Sequence, residues 1–418
     1  MPLTPPVNVP MVATSFWAMA KEITAPATAG TNFVCIPTGT FEPSNKPTWI
    51  DDTAMRGAPV KVYNEQMGPL WAEHTVPESP VFGDTFGHVL LNMFGDLVST
   101  GTSSGTPWTT TAALTPGESA CPVSTGAVAA AGTFAQIDSA LNSEVIKVGT
   151  GSTTTSVVPS ASTPIRFNHL SGVTIQPVIA PFSHTFTALN VNSSTGLTGC
   201  QPPTHTIAHR TTLAGSGGNL ADQYLYSCVS EITITGKKSG MVSWSGKITS
   251  WSMTHPAAPI TAAFSSVQLW PSWQSTNTIA TVATPNVVEW SATFTREMDV
   301  VSAADGQQSP YCLSRGPLES TFKLTYDAVV DQGPLTTMLN NTQPALVWAV
   351  TNGLSGASQV AMNINAGLAA FKSSDLKPQK TMWGWEVSGS LLPSTALAGN
   401  SGGYTPAQIA LTNAVATF

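Results

Sequence analysis

Residues 230–251 read SEITITGKKSGMVSWSGKITSW, and their alternation decides the fold class. Ile232 and Ile234 face one way while Glu231, Thr233 and Thr235 face the other; after the short GKKSG, Trp244 and Ile248 oppose Ser243, Ser245, Lys247 and Thr249. Successive side chains of a strand point to opposite faces, so this stretch predicts a hairpin with one buried face and one wet face. Glu231, Thr233, Ser245 and Lys247 are therefore candidate water-facing positions.

The C-terminal half uses the same grammar. VVEWSATFTR (287–296) places Trp290, Ala292 and Phe294 on one face and Glu289 and Thr293 on the other, and STFKLTY (320–326) sets Phe322, Leu324 and Tyr326 against Lys323. GPLTTMLNN (333–341) predicts a short helix, after which ALVWAV, VAMNINAGLAAF and WGWEVSGSLL return to strand, with Glu386 on a polar side. Upstream, FGDTFGHVLLNMFGDLV (82–98) predicts a helix with Asp84 as N-cap and an apolar stripe of Phe86, Leu90, Met93, Phe94 and Leu97. Strand, strand, helix and hairpin thus recur in both halves, which predicts an internal duplication of one β-rich unit. Residues from Ser99 to Ala180 differ in texture, opening with the low-complexity TGTSSGTPWTTTAAL, and suggest a small inserted all-β module. The expected division is a first unit from 1–98 and 181–265 with an N-terminal arm at 1–15, an insert at 99–180, and a second unit at 266–418.

Composition points to assembly. Charged residues make up 9% of the chain against a usual value of about 25%, and a charge-poor surface suits a protein covered by copies of itself or by partners. A secreted β-rich protein is the alternative reading of the same composition. The formal net charge of -7 argues against a protein that grips nucleic acid, because such binding rests on Lys and Arg neutralising phosphates. Cys35, Cys121, Cys200, Cys228 and Cys312 are scattered and odd in number, which fits reduced thiols. The opening MPLTPPVNVPM lacks a basic region followed by an apolar one, and no unbroken apolar run is long enough for a bilayer, so synthesis in the cytoplasm without membrane insertion is expected. Its prolines favour an extended arm.

Catalytic patterns are weak. Gly101, Ser103 and Gly105 fit G-x-S-x-G, but a helix is predicted before them and a Thr-rich stretch after, the reverse of a nucleophile elbow. His88, His169, His184, His205, His209 and His255 lack compact ligand spacing and are expected to be surface or hydrogen-bonded residues. Asp51 with Asp52, or Glu73 with Glu78, are acid pairs of a kind that any long chain contains. Trp108, Trp244, Trp251, Trp270, Trp273, Trp383 and Trp385 motivate a second reading, a carbohydrate-binding or host-adhesion β protein, since aromatics stack on sugars.

The stretch IDDTAMRGAPVKVYNEQMGPLWAEHTVPESPVFGDTFGHVLLNMFGDL (50–97) resembles the opening unit of phage major tail tube proteins, especially those of actinobacterial siphophages. There an acidic segment followed by Arg-Gly, here Asp51, Asp52, Arg56 and Gly57, precedes a strand and helix. SEITITGKKSGMVSWSGKITSW resembles that family's following hairpin, LESTFKLTYDAVVDQGPLTTMLNN its second strand and helix, and the insert is similar to an outward-facing β module of tail proteins. The resemblance implies a mainly β fold: duplicated β-sandwich or barrel units with a flanking helix each, whose sheets join around a ring into a barrel lining a channel. It also implies a virion protein that is not an enzyme and needs no cofactor. Its partners would be further copies of itself and other tail proteins (tape measure, tail terminator, distal tail), with DNA passing through unbound. Two units per chain would make a ring of three chains, where single-unit members use six. Asp51, Asp52, Arg56 and Gly57, with the loop 46–64, the Pro-rich arm and the C-terminal AQIALTNAVATF, are the candidates for ring stacking. Glu231, Thr233, Ser245, Lys247, Glu289, Thr293, Lys323 and Glu386 are those for the water-filled channel.

Overall fold

Alternation of apolar and polar residues builds a sandwich of two large sheets in the computed structural model, which describes residues 15–22, 32–54, 57, 60–190, 201–212, 219–255, 262–284, 286–327, 332–379 and 382–418. The first sheet begins with strands β1 (Phe16–Lys21), β2 (Phe33–Cys35), β3 (Glu42–Asp52) and β4 (Asn64–Pro80). Helix α1 (Gly87–Phe94), β5 (Gly95–Ser103) and β6 (Thr174–Ala188) come next, then β7 (His205–Thr212), β8 (Asn219–Lys237) and β9 (Ser243–Trp251). The second half contributes β10 (Val287–Val301), β11 (Cys312–Asp327), α2 (Gly333–Leu339), β12 (Leu346–Thr351), β13 (Ala361–Ala366), β14 (Leu368–Gln379), β15 (Met382–Leu392) and β16 (Gln408–Asn413).

In the first sheet the order across the main wall is β3-β4-β9-β8-β10-β11-β15-β14, all antiparallel. This wall is two quartets with one connectivity. In the first, the hairpin β3–β4 is followed by α1 and then by the hairpin β8–β9, with β4 beside β9; in the second, β10–β11 is followed by α2 and β14–β15, with β11 beside β15. The quartets meet where β8 pairs with β10, Glu231 opposite Thr295 through Lys237 opposite Glu289. The first half of β8 leaves the wall and pairs with β7, which continues through β1 to β2. Neither large sheet closes into a barrel; among the described residues no further strand pairs with the wall's end strands, β3 and β14.

The second sheet draws on both halves. β12, β13, β16, β6 and β5 run side by side, so each helix is followed by two strands in this layer, β5 and β6 after α1 and β12 and β13 after α2. The predicted ring-stacking role for the C-terminal AQIALTNAVATF does not fit. β16 is hydrogen-bonded on both sides, to β6 and β13, and Ile409 and Leu411 are fully buried. A strand paired on both edges has no backbone groups left to offer a neighbour.

One core lies between the sheets, with Ile232, Ile234, Trp244, Phe294, Phe322 and Leu324 from the wall meeting Trp348, Met362, Ile364, Ile409 and Phe186 from the second layer. Trp290 stacks on Trp348 across the gap at 5.8 Å between ring centroids. The helix of the first half is shorter than the sequence predicts. It begins after Phe86, takes no side-chain cap from Asp84, and ends at Gly95, whose φ of 86° only glycine adopts easily. Leu97 therefore belongs to β5, and Asp84 instead accepts a hydrogen bond from Ser265 Oγ at 2.7 Å.

The inserted segment has its own small core of Trp108, Leu114, Val123, Ile137, Ile146, Val157 and Ile175, among others. It is built on the first half of β6, where Ile175 pairs with both Trp108 and Ile137. Residues 99–103 are part of β5 and pair with β6, so the strands at the join serve insert and host together.

Candidate functional site

The polar face of the eight-strand wall collects the residues that alternation marks as wet. Across the strands, Lys247, Glu231 and Thr295 lie opposite one another in one row, and Ser245, Thr233, Thr293 and Thr321 in the next. A third row holds Ser243, Thr235, Ser291, Lys323 and Ser388, and a fourth Lys237, Glu289, Thr325, Glu386 and Asp375. Glu231, Thr233, Ser245, Lys247, Glu289, Thr293, Lys323 and Glu386 thus share one face, on the side away from the core. The Thr233 and Thr293 hydroxyls, one from each quartet, are 3.0 Å apart.

The charges on this face are mixed and largely paired. Lys247 Nζ lies 2.7 Å from Glu231, Lys237 Nζ 3.3 Å from Glu78, and Lys377 is paired with Glu386. The hydrogen bond from Ser243, then Lys237, holds the Glu78 carboxyl below its ordinary range, and Lys377 does the same for Glu386. With Glu289, Glu319 and Asp375 added, carboxylates outnumber the amines of Lys237, Lys247, Lys323 and Lys377. Hydroxyls fill most positions between them. Among the described residues, a phosphate chain finds no run of cations on this face to hold it.

The wall's two edges are the second feature. β3 carries Pro43, Lys46 and Pro47, and β14 carries Lys372, Lys377 and Pro378, the residue types that keep a free edge from pairing indiscriminately. Beyond the wall, β3 and β4 extend as a hairpin on which Trp49 is 59% and Ile50 60% exposed. Asp51 pairs in register with Glu65 and Asp52 with Asn64, Asp52 Oδ1 accepts a hydrogen bond from the Ala54 amide, and Gly57 has φ 77°. Arg56 and the Pro-rich arm lie outside the described residues. The corresponding turn of the second quartet reaches the same end of the wall, where the Leu70 amide donates to the Gln308 carbonyl.

Features that suggest chemistry are structural instead. Gly101 and Ser103 sit on β5, and no helix follows them, so there is no nucleophile elbow. Glu73 pairs with Lys46 and Glu78 with Lys237, each carboxylate neutralised by its lysine on the polar face of the wall. One groove, about 590 Å³, is lined by Trp273, Trp290, Val287, Met382 and small polar residues, with Lys238 its single titratable side chain. Of the tryptophans that motivate sugar stacking, Trp273 and Trp383 are exposed, whereas Trp108, Trp244, Trp270 and Trp385 are buried.

The histidines are more deeply buried than the sequence suggests. His88, His184 and His205 lie in the interior, as does His74, which sequence reasoning missed. Burial lowers His74 to about 3 and His88 and His184 to about 4, so these rings are neutral. His74 meets Ser250 Oγ at 2.7 Å, and His184 bridges Ser99 and the Val415 carbonyl. His255, 66% exposed in its side chain, is the surface residue of the set.

His169 in the insert is the opposite case. Burial alone would lower it, but Nε2 lies 2.9 Å from Glu144 and Nδ1 3.2 Å from Asp138, and these carboxylates raise it. Both ring nitrogens are bound to carboxylates, which leaves neither to take a proton from a substrate. Glu144 also accepts from the Arg166 and Phe167 amides, and Arg166 reaches the Leu97 carbonyl at 2.7 Å, tying insert to host. No local motif marks this cluster, since Asp138, Glu144 and Arg166–His169 meet only through the fold. Among the described residues, no group of three or more His, Cys, Asp or Glu is arranged to hold a metal ion. Set beside known proteins, the chain matches no family model and no curated sequence.

Proposed function

We propose that the chain is a structural, non-enzymatic virion protein, the major tail tube protein of a long-tailed phage, which assembles into stacked rings that conduct DNA. The observation that carries this reading is the wall itself. Two quartets of one connectivity join edge to edge through β8 and β10, and the wall then stops on the same two strand positions, β14 and β3, with no further strand paired to either among the described residues. A repeat joined once by a heterologous contact and left open at both ends is suited to continue around a ring. Closing that ring removes the edges that otherwise recruit strands without limit. With two units per chain, three chains complete it.

In this reading the hydroxyl-rich face with its slight excess of carboxylates lines the channel, and DNA slides past without binding. The insert, built on the second sheet, lies on the layer away from that face and so points outward. The hairpin of β3 and β4 with exposed Trp49 and Ile50, together with Asp51, Asp52, Arg56 and Gly57, contacts the next ring. Other tail proteins would cap the tube's ends, and the protein would be made and assembled in the host cytoplasm. Negative-stain electron microscopy of the purified protein tests the reading. Rings or tubes are expected; a monodisperse monomer that binds glycans would replace it with the adhesion reading, for which exposed Trp273 and Trp383 are the available platform.

A further inference from the structure

The junction between the quartets is a template for the contact between chains, because two landmarks align the quartets residue by residue. Ser245–Gly246 in β9 and Ser388–Gly389 in β15 occupy one position in the connectivity: Gly246 pairs with Val76 and Ile232, and Gly389 with Phe322 and Phe371. At each glycine the backbone of the outer strand lies where a Cβ would go. A Cβ on Gly246 would meet the Glu231 carbonyl oxygen at 2.7 Å, and one on Gly389 would collide with that of Ala370. Glu231 and Ala370 are therefore equivalent.

On the other side of each quartet, Val76 and Phe322 are equivalent through the same glycines, which equates Glu73 with Glu319. Ser44 is opposite Glu73 as Thr295 is opposite Glu319, and Glu42 is opposite Thr75 as Thr293 is opposite Thr321. Since β8 and β10 set Glu231 against Thr295 and Thr233 against Thr293, the same rule can be written for the two free edges.

We propose that the edge of β14, free beyond Ala369, whose amide donates to the Pro344 carbonyl, pairs antiparallel with the free edge of β3 in a second copy of the chain, with Ala370 opposite Ser44 and Ser373 opposite Glu42. Lys372, already bulged out of the ladder between β14 and β15, is left out of this one as well. The faces agree. Ala370 and Ser373 stand in register with Ser390 and Ser388 on the polar side, and Ser44 and Glu42 with Glu73 and Thr75 on the same side. Phe371 then comes opposite Pro43 on the core side. The Thr233 to Thr293 hydroxyl contact at the internal junction becomes a Ser373 hydroxyl donating to the Glu42 carboxylate. This inference rests on the tube reading and fixes the register that it leaves open.

Cysteine pairs test it in a chain whose Cys200 and Cys312 are replaced by Ser. The remaining Cys35, Cys121 and Cys228 are buried, with thiols that burial pushes up, to about 11 for Cys35 and about 12 for Cys121. Directly opposed residues of an antiparallel pair lie about 4.5–5.5 Å apart at Cα, within disulfide reach. Assembled protein carrying Ser44→Cys and Ala370→Cys, treated with oxidised glutathione as oxidant, is expected to give covalent dimers and higher multimers on a non-reducing gel. The offset pair Ser44→Cys with Ser373→Cys is expected to couple at least about tenfold less, since diagonal neighbours two paired positions apart on one face lie about 7–8 Å apart, beyond ordinary disulfide reach. Glu42→Cys with Ser373→Cys is an independent second pair that should couple. If rings or tubes form but the matched pairs remain monomeric, or the offset pair couples better, the register is overturned while the tube reading stands. If the unsubstituted chain forms neither rings nor tubes, both fall.

Discussion

The two quartets have one strand order but opposite helices. In α1 every residue of Gly87–Phe94 is buried; in α2 none of Gly333–Leu339 is. The sequences explain the contrast: GHVLLNMF is apolar on nearly all sides and sits inside the sandwich, whereas GPLTTML turns Thr336 to solvent and rests Leu335 and Met338 on the rim of the core. Asn92, a polar side chain on α1 that points inward, is fully used. It donates to His205 Nδ1 and the Ser227 carbonyl, and its Oδ1 accepts from the Val229 amide and from Arg315 of β11. Connectivity repeats, then, while the load does not, and the first quartet carries the interior to which the second is fastened.

The comparison is most exposed to truncation of the helices. Leu90→Ala opens a cavity in a side chain that is fully buried and is expected to cost about 2–5 kcal/mol. Leu339→Ala, at a position 71% exposed, should stay within about 0.5 kcal/mol. Equilibrium urea unfolding of the two variants checks this, and equal losses would mean the helices are not unequal after all.

Acid sharpens the contrast between the host and its insert. His74, His88 and His184 are held neutral well below the ordinary 6.5, so the unfolded chain binds more protons and the host loses stability as pH falls from 6.5 toward 4. A histidine held near 4 contributes on the order of 3 kcal/mol at neutral pH. His169 is raised, so its contribution is complete below 6.5 and is lost as pH rises through its folded value. Hydrogen exchange from pH 4 to 8 should show host amides loosening toward acid and those around Asp138, Glu144 and His169 loosening toward base. Parallel behaviour in both regions would contradict it. The smallest effect belongs to the wall's polar face: Lys247→Ala removes a pair whose lysine is 62% exposed and should change the urea midpoint by less than about 1 kcal/mol equivalent.

Much of the wall was legible because alternation is local. Ile232, Ile234, Trp244, Phe294, Phe322 and Leu324 declare their face without any partner, and the polar set from Glu231 to Glu386 falls on the other side by parity alone. The helix boundary was less legible, since Leu97 continues a helical stripe only until Gly95 turns the chain into β5. The role of the last strand was hidden for a different reason. Gln408–Asn413 looks like any exposed strand until β6, more than two hundred residues earlier, pairs with it.

By itself the sequence determined the strand faces, the short helices and the repeated order of elements, all of which depend on neighbours within a few residues. Tertiary structure decided which edges are taken and which are free, that His74, His88, His184 and His205 are interior and neutral, and that Asp138, Glu144 and His169 form one cluster. Those are properties of distant segments brought into contact, and hydrogen-bond pairing and desolvation act on that contact and not on spacing along the chain.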